Sequence, residues 1–224
     1  MKIWLIVCVF VALLAGAALA IRFWTTGDFN VAHSLLILFL TVNILVSYWE
    51  ICLFLRISEI EEKRKSWDSV RSESGAVPAL KFLTMSVPLR KVFAPSVWAE
   101  LWGVYSLYDA SYADRKTFGF NCDVANGVVT PLLSLLLLGT FTIPFLPARV
   151  AGILGVLLFW QWIYVTSAYI MSFFMAGRHR LINRKEILIY IWGPNLFWIV
   201  LPIFGFYVSV RLVLEGSYVA LGLN

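Results

Sequence analysis

Residues Leu101 to Pro131 read LWGVYSLYDASYADRKTFGFNCDVANGVVTP. The stretch opens as an aromatic segment with a small polar cluster, Tyr105, Tyr108, Asp109, Ser111 and Tyr112. It then enters an apolar run that carries Asn121, Asp123 and Asn126. An acid inside an apolar span is costly to place in lipid, which makes it a candidate for function. Positions three apart lie on one helix face, so Asp123 and Asn126 can point the same way, with Thr130 one further turn along.

Composition outside this stretch sets the class. Hydrophobic residues make up 61% of the 224 and charged residues 14%, more apolar than a soluble core of this size requires. Apolar runs near 3–21, 33–55, 119–143, 148–176 and 187–213 are each long enough to cross about 30 Å of hydrocarbon. Their continuity argues for helices rather than a barrel, so the expected fold is an all-α integral membrane protein. It would have five transmembrane helices and an interfacial amphipathic helix before the third span. No repeat or second domain is visible, and 1–224 reads as one membrane domain. With five spans, 15 of the 18 Lys and Arg residues fall on the side of the amino terminus, which places that terminus in the cytoplasm. The net charge of +5 thus reads as topology and attraction to anionic lipid, not nucleic-acid binding.

Taken in order, Met1 to Ala20 has the lysine, apolar core and small-residue end of a signal peptide, but its long apolar run favours a retained first span. Asn43, Ser47 and Glu50 form a polar stripe at i, i+4 and i+7 on the second span. Glu50 admits two readings: a membrane-edge acid paired with Arg56, or a buried proton-handling group. The polar stretch 57–97 begins with a helix carrying a Glu61–Lys65 pair and continues as a proline-containing loop on the membrane face. Over 97–112 the spacing of Trp98, Leu101, Trp102, Tyr105 and Tyr108 predicts one helix at headgroup level. Asp109 there fixes local structure through hydrogen bonds more readily than it touches a substrate. A turn over Thr142 to Pro147 makes spans three and four a hairpin. The fourth span carries Gln161 and the stripe Trp162, Thr166 and Tyr169, and the fifth is kinked by Pro194 and Pro202. Cys8, Cys52 and Cys122 read as buried thiols. His33 and His179 lack metal-ligand spacing, and no nucleotide loop is present, so the chemistry needs neither metal nor cofactor.

Trp102, Tyr105, Asp109, Tyr112, Asp123 and Pro131, followed far downstream by NLFWIVLP at Asn195 to Pro202, resemble the EXPERA family. The likeness is strongest to its emopamil-binding branch, which contains a sterol isomerase that moves a ring double bond from Δ8 to Δ7. The resemblance implies that Glu50 and Asp123 handle protons, that Asn126 and Asn195 position an acid or the polar end of the substrate, and that Trp198 stabilises a carbocation. Asn43, Trp102, Tyr105, Thr130, Trp162, Thr166 and Tyr169 would line the substrate. Three departures accompany it. Val46 stands where the family enzyme has a histidine, Asp123 and Asn126 replace its glutamate and threonine, and Ser111 replaces an arginine that would give a structural salt bridge.

Few polar groups occupy the spans, and Asn43, Glu50, Asn121, Asp123, Asn126, Thr130, Gln161, Thr166 and Asn195 are expected to converge inside the protein. Two acids among aromatic side chains suit a rigid apolar ligand. The expected activity is an isomerase that shifts a double bond in a sterol or terpenoid by protonation, carbocation and deprotonation. A membrane terpene cyclase would use the same acid, and Tyr48-Trp49-Glu50 is faintly similar to small membrane cyclases. A non-catalytic sterol-binding or trafficking protein is the third class. Expected partners are an apolar polycyclic or isoprenoid lipid, membrane lipid, cationic amphiphilic inhibitors and a second copy in a homodimer. The expected location is the endoplasmic reticulum, or the inner membrane of a bacterium.

Overall fold

Hydrocarbon offers a backbone nothing to bond with, so an apolar chain of this kind satisfies its amides within helices. The computed structural model describes residues 1–75 and 77–223 and has this character. Five helices are long and apolar enough to cross a membrane: α1 (Ile3–Thr26), α2 (Val31–Leu55), α6 (Phe118–Thr142), α7 (Ala148–Met175) and the fifth span, Arg184–Glu215. Among the described residues there is no β-strand, only an isolated bridge between Lys2 and Ser86. The protein is an all-α, multi-pass membrane protein.

Between α2 and α6 lie three shorter helices, α3 (Ile57–Ser74), α4 (Pro78–Thr84) and α5 (Pro95–Tyr105). The prolines expected to make a loop open two of these helices instead. Pro78 and Pro95 stand at helix N-termini, where a missing N–H costs nothing. The single helix expected over 97–112 ends at Tyr105, and a separate 3₁₀ turn follows at Ala110–Ala113. Trp98 and Trp102 are buried against protein.

The chain divides into two compact units, 1–9, 47–128 and 168–194 in the first and 10–46, 129–167 and 195–224 in the second. In the first, Ile3, Ile6, Cys52, Trp67, Phe82, Val87, Trp98, Val104 and Tyr108 form the core. Trp98 stacks on Trp49 with centroids 5.1 Å apart, and the Trp102 indole N–H donates to the Trp49 carbonyl at 2.7 Å. Glu100 accepts from Lys63 at 2.6 Å and from the Trp67 indole at 2.9 Å, which locks α5 to α3. The first residues are tied down too: the Met1 amino group donates to the Val87 carbonyl at 2.6 Å, and the Ile3 N–H to the Met85 carbonyl at 3.1 Å.

The second unit has its own core around Phe39, Leu40, Phe141, Phe159, Trp162, Val208 and Leu212. Arg22, one residue beyond the expected limit of the first span, is fully buried about one turn before α1 ends at Thr26. Its guanidinium donates to the carbonyls of Leu221 and Gly222 at 2.8 and 3.2 Å and pairs with Asp28 at 3.1 Å. A buried charge is tolerable only with such partners, so Arg22 serves as a clasp for the carboxyl-terminal segment. Tyr218 in that segment donates to the Leu146 carbonyl at 2.8 Å.

The fifth span contains a π-helical stretch, Ile187–Trp192, ahead of Gly193 and Pro194. Proline has no N–H to continue the i→i−4 ladder, and a widened turn before it re-partners the freed carbonyls. The expected irregularity at Pro194 therefore takes this form. Of the cysteines, Cys52 and Cys122 are buried as expected, whereas Cys8 faces outward from α1.

Candidate functional site

Gly119, Asp123 and Gly127 recur every four residues on α6, so they share one face. Both glycines are there for close approach. A Cβ on Gly127 would lie 2.7 Å from the Glu50 Cβ and 3.0 Å from the Ser47 carbonyl, and a Cβ on Gly119 would meet Ser111 and Tyr169. Nothing larger than glycine lets α2 come this near α6, and that nearness brings Glu50 to Asp123. Each carboxylate acts electrostatically on its surroundings at this range, Asp123 directly on Glu50. Glu50 is 2% exposed and its Oε2 has no hydrogen-bond partner among the described residues. Arg56, the cation that could have neutralised it, pairs instead with Glu59 at 2.7 Å. Among the described residues no ion pair includes Glu50 or Asp123.

The closeness of these helices makes Gly127 a sensitive position. Gly127→Ala is expected to lower stability by about 1–3 kcal/mol, the usual effect of overpacking. Thermal melting of the purified variant checks this; a melting temperature equal to that of the parent chain would mean that α2 and α6 are not held together here.

Beside the pair lies a second buried group. Asp109 is 1% exposed, and its Oδ1 accepts from the Ser111 N–H at 2.9 Å, which caps the 3₁₀ turn. Its Oδ2 accepts from the Tyr169 hydroxyl at 2.8 Å. Arg178 Nε stands 3.2 Å from Oδ1. The salt bridge that Ser111 seemed to remove is thus present, supplied by an arginine 69 positions downstream. The Tyr112 hydroxyl is within hydrogen-bonding reach of Asp123. Burial, and after it the Asp123 carboxylate, holds the Tyr112 hydroxyl well above the usual range, which keeps it a protonated donor. Tyr105 and Tyr112 have ring centroids 5.0 Å apart, Tyr112 and Tyr169 6.0 Å, and Trp102 and Tyr112 5.1 Å.

Of the residues singled out in the sequence, Glu50, Asp123, Asn126, Trp102, Tyr105 and Tyr169 belong to this first unit. Asn126 is buried, with its amide toward the Cys122 sulfur at 3.9 Å. Asn121 does not join them. It is exposed, and its amide donates to the carbonyls of Arg115 and Thr117, so it closes the start of α6 rather than lining an interior site.

Asn43, Thr130, Trp162, Thr166, Asn195 and Trp198 belong to the second unit. Asn43 donates to Ser134 at 2.6 Å and Thr130 at 3.3 Å, while its carbonyl oxygen is buried without a hydrogen-bond partner among the described residues. Trp198 stacks on Trp162 with centroids 4.5 Å apart and meets Phe39 edge-on at 5.4 Å. Thr166 and Asn195 are buried.

Sequence reading missed Arg178, Gly119 and Gly127. The spacing of a small residue, an acid and a small residue at four-residue intervals was the available signal for the glycines; for Arg178 there was none. Comparison with family models, with curated proteins and with solved structures found no match.

Proposed function

We propose that the protein is a membrane isomerase that shifts a carbon–carbon double bond in an apolar polycyclic or isoprenoid lipid. The observation that carries this reading is the pair formed by the buried Glu50 and the half-buried Asp123 on two spanning helices, with no ion pair to either among the described residues. Structural acids in membranes are ordinarily paired with a cation; an acid pair without one is suited to giving and taking protons. In the reaction one carboxyl delivers its proton to an alkene carbon, and the positive charge develops on the neighbouring carbon. The other carboxylate then removes a proton from the next carbon, and the electron pair of that C–H bond forms the new double bond. Substrate and product have the same formula, so no co-reactant is consumed. Asn126, three residues beyond Asp123 on α6, would orient Asp123 or the substrate, as the resemblance implies. The likeness of the two motifs to the EXPERA family supports the same chemistry.

Incubation with candidate sterols and terpenoids in heavy water tests the reading. Isomerised lipid carrying deuterium on carbon supports it, loss of a double bond for each ring formed identifies a cyclase instead, and unchanged lipid leaves a binding protein.

A cationic amphiphile with a bulky apolar body imitates the carbocation and should bind more tightly than its uncharged analogue. Calorimetry on the Asp123→Asn variant should show weaker binding of the cation alone. Equal loss for the neutral analogue would point to a changed shape rather than a lost charge.

The placement of 15 of 18 basic residues supports an amino terminus in the cytoplasm, in the endoplasmic reticulum or a bacterial inner membrane. Reporter fusions inserted after Lys65 and after Asn224 should report opposite sides, with Lys65 cytoplasmic. Reports from the same side would break the five-span topology.

A further inference from the structure

An acid pair that passes protons to and from carbon needs a way to exchange them with water, and hydrocarbon gives it none. The first unit contains a line of hydroxyl and carboxyl groups leading away from Asp123. Tyr112 has its hydroxyl at Asp123, and that hydroxyl lies within electrostatic reach of those of Tyr169 and Tyr105. Tyr105 and Tyr169 share a side-chain hydrogen bond. Tyr169 continues to Asp109 at 2.8 Å, and Asp109 meets Arg178, whose side chain retains 13% exposure at the head of the basic stretch 178–185. A structural clamp on the 3₁₀ turn would need only Ser111, Asp109 and Arg178. It would not need three tyrosine hydroxyls gathered between it and the acid pair.

We infer that Asp109, Tyr169, Tyr105 and Tyr112 form a proton relay that connects the Glu50–Asp123 pair to the polar end of α7. It rests on the proton-transfer reading of that pair for its purpose, though not for its existence. Once the Tyr169 hydroxyl, which donates to Asp109 at 2.8 Å, turns toward Tyr105, a proton taken up at Asp109 passes to the Tyr169 oxygen as Tyr169 releases its own to Tyr105 and the Asp109 carboxylate is restored. Tyr105 passes one on to Tyr112 in the same way, with a hydroxyl rotation or a single water closing that gap, and Tyr112 delivers one to Asp123. Each tyrosine gains and loses one proton and ends neutral, and no bond other than O–H changes. Protons leave the pair by the reverse sequence. The four residues act through Asp123 and are positioning residues rather than catalytic ones.

Infrared spectroscopy on the full chain, without substrate, tests the relay itself. At acidic pH, where the carboxyl C=O band is present, transfer to heavy water shifts the Asp123 band as its proton exchanges, the band being assigned by its loss in Asp123→Asn. Exchange should slow about tenfold or more in Tyr112→Phe and in Tyr169→Phe, both of which keep the ring and its packing. A band that exchanges at the parent rate in both variants overturns the relay. A second arm uses the isomerised lipid. With Tyr112→Phe the proton removed from one substrate molecule is recycled onto the next, so deuterium per product should fall about tenfold while turnover falls far less. Unchanged deuterium per product overturns the relay. Absence of product from the parent chain would sink the isomerase reading alone, and the infrared arm would still decide the relay.

Discussion

Turnover should fall about a hundred- to ten-thousand-fold in Glu50→Gln and in Asp123→Asn, the range by which a general acid or base usually accelerates a reaction. Each amide keeps the shape of the acid and most of its hydrogen-bonding capacity, but neither can give up and regain a proton at neutral pH. Glu50 is the sharper case. Its Oε2 is buried without a hydrogen-bond partner among the described residues, so no hydrogen bond among them is lost there when the acid is replaced. The Glu50→Gln chain should therefore melt near the temperature of the parent while isomerising almost nothing. Measured side by side, turnover and melting temperature separate a chemical role from a packing role. A variant that is both stable and active would remove Glu50 from the mechanism.

The other large effect belongs to stability. Arg178→Gln leaves the Asp109 carboxylate, 1% exposed, without its cation, and Asp109→Asn leaves the mostly buried guanidinium without its anion. Removing one member of a buried pair typically costs about 3–5 kcal/mol, because the other remains desolvated. Asp109 also caps the 3₁₀ turn and anchors the Tyr169 hydroxyl, so its loss should free three contacts together. Both variants are expected to melt well below the parent chain. The double variant Asp109→Asn/Arg178→Gln should recover part of the loss, since no uncompensated charge is left. Additive losses would show that the two residues do not act as a pair.

Hydrophobic length found all five spans, because about 20 apolar residues are needed whatever the tertiary structure. The hairpin at 142–147 was equally legible: its prolines and its brevity leave one geometry. The pairing of Glu50 with Asp123 was reached through the resemblance and through the expense of acids in lipid. What determines their nearness, Gly127, was not read, because a glycine in an apolar helix looks the same whether it faces lipid or a neighbour. The break after Tyr105 was hidden for a related reason. Helical spacing of aromatic residues continued across it, and only the cap made by Asp109 with Ser111 shows where the chain turns. Arg178 lies in a run of basic residues that topology already explained, so nothing local distinguished the one that points at Asp109. The exposed position of Asn121 was likewise masked, since a polar residue in the first turn of α6 can serve the helix start as well as a site.

Central to the whole account is the claim that Glu50 and Asp123 move protons on and off carbon. Its most direct measurement is the position of label in the lipid after reaction in heavy water, read by mass spectrometry and NMR. The parent chain should give product with a displaced double bond and one deuterium at the carbon that received the proton, and the Glu50→Gln/Asp123→Asn chain should give none. Equal label in the products of the two chains would contradict the account.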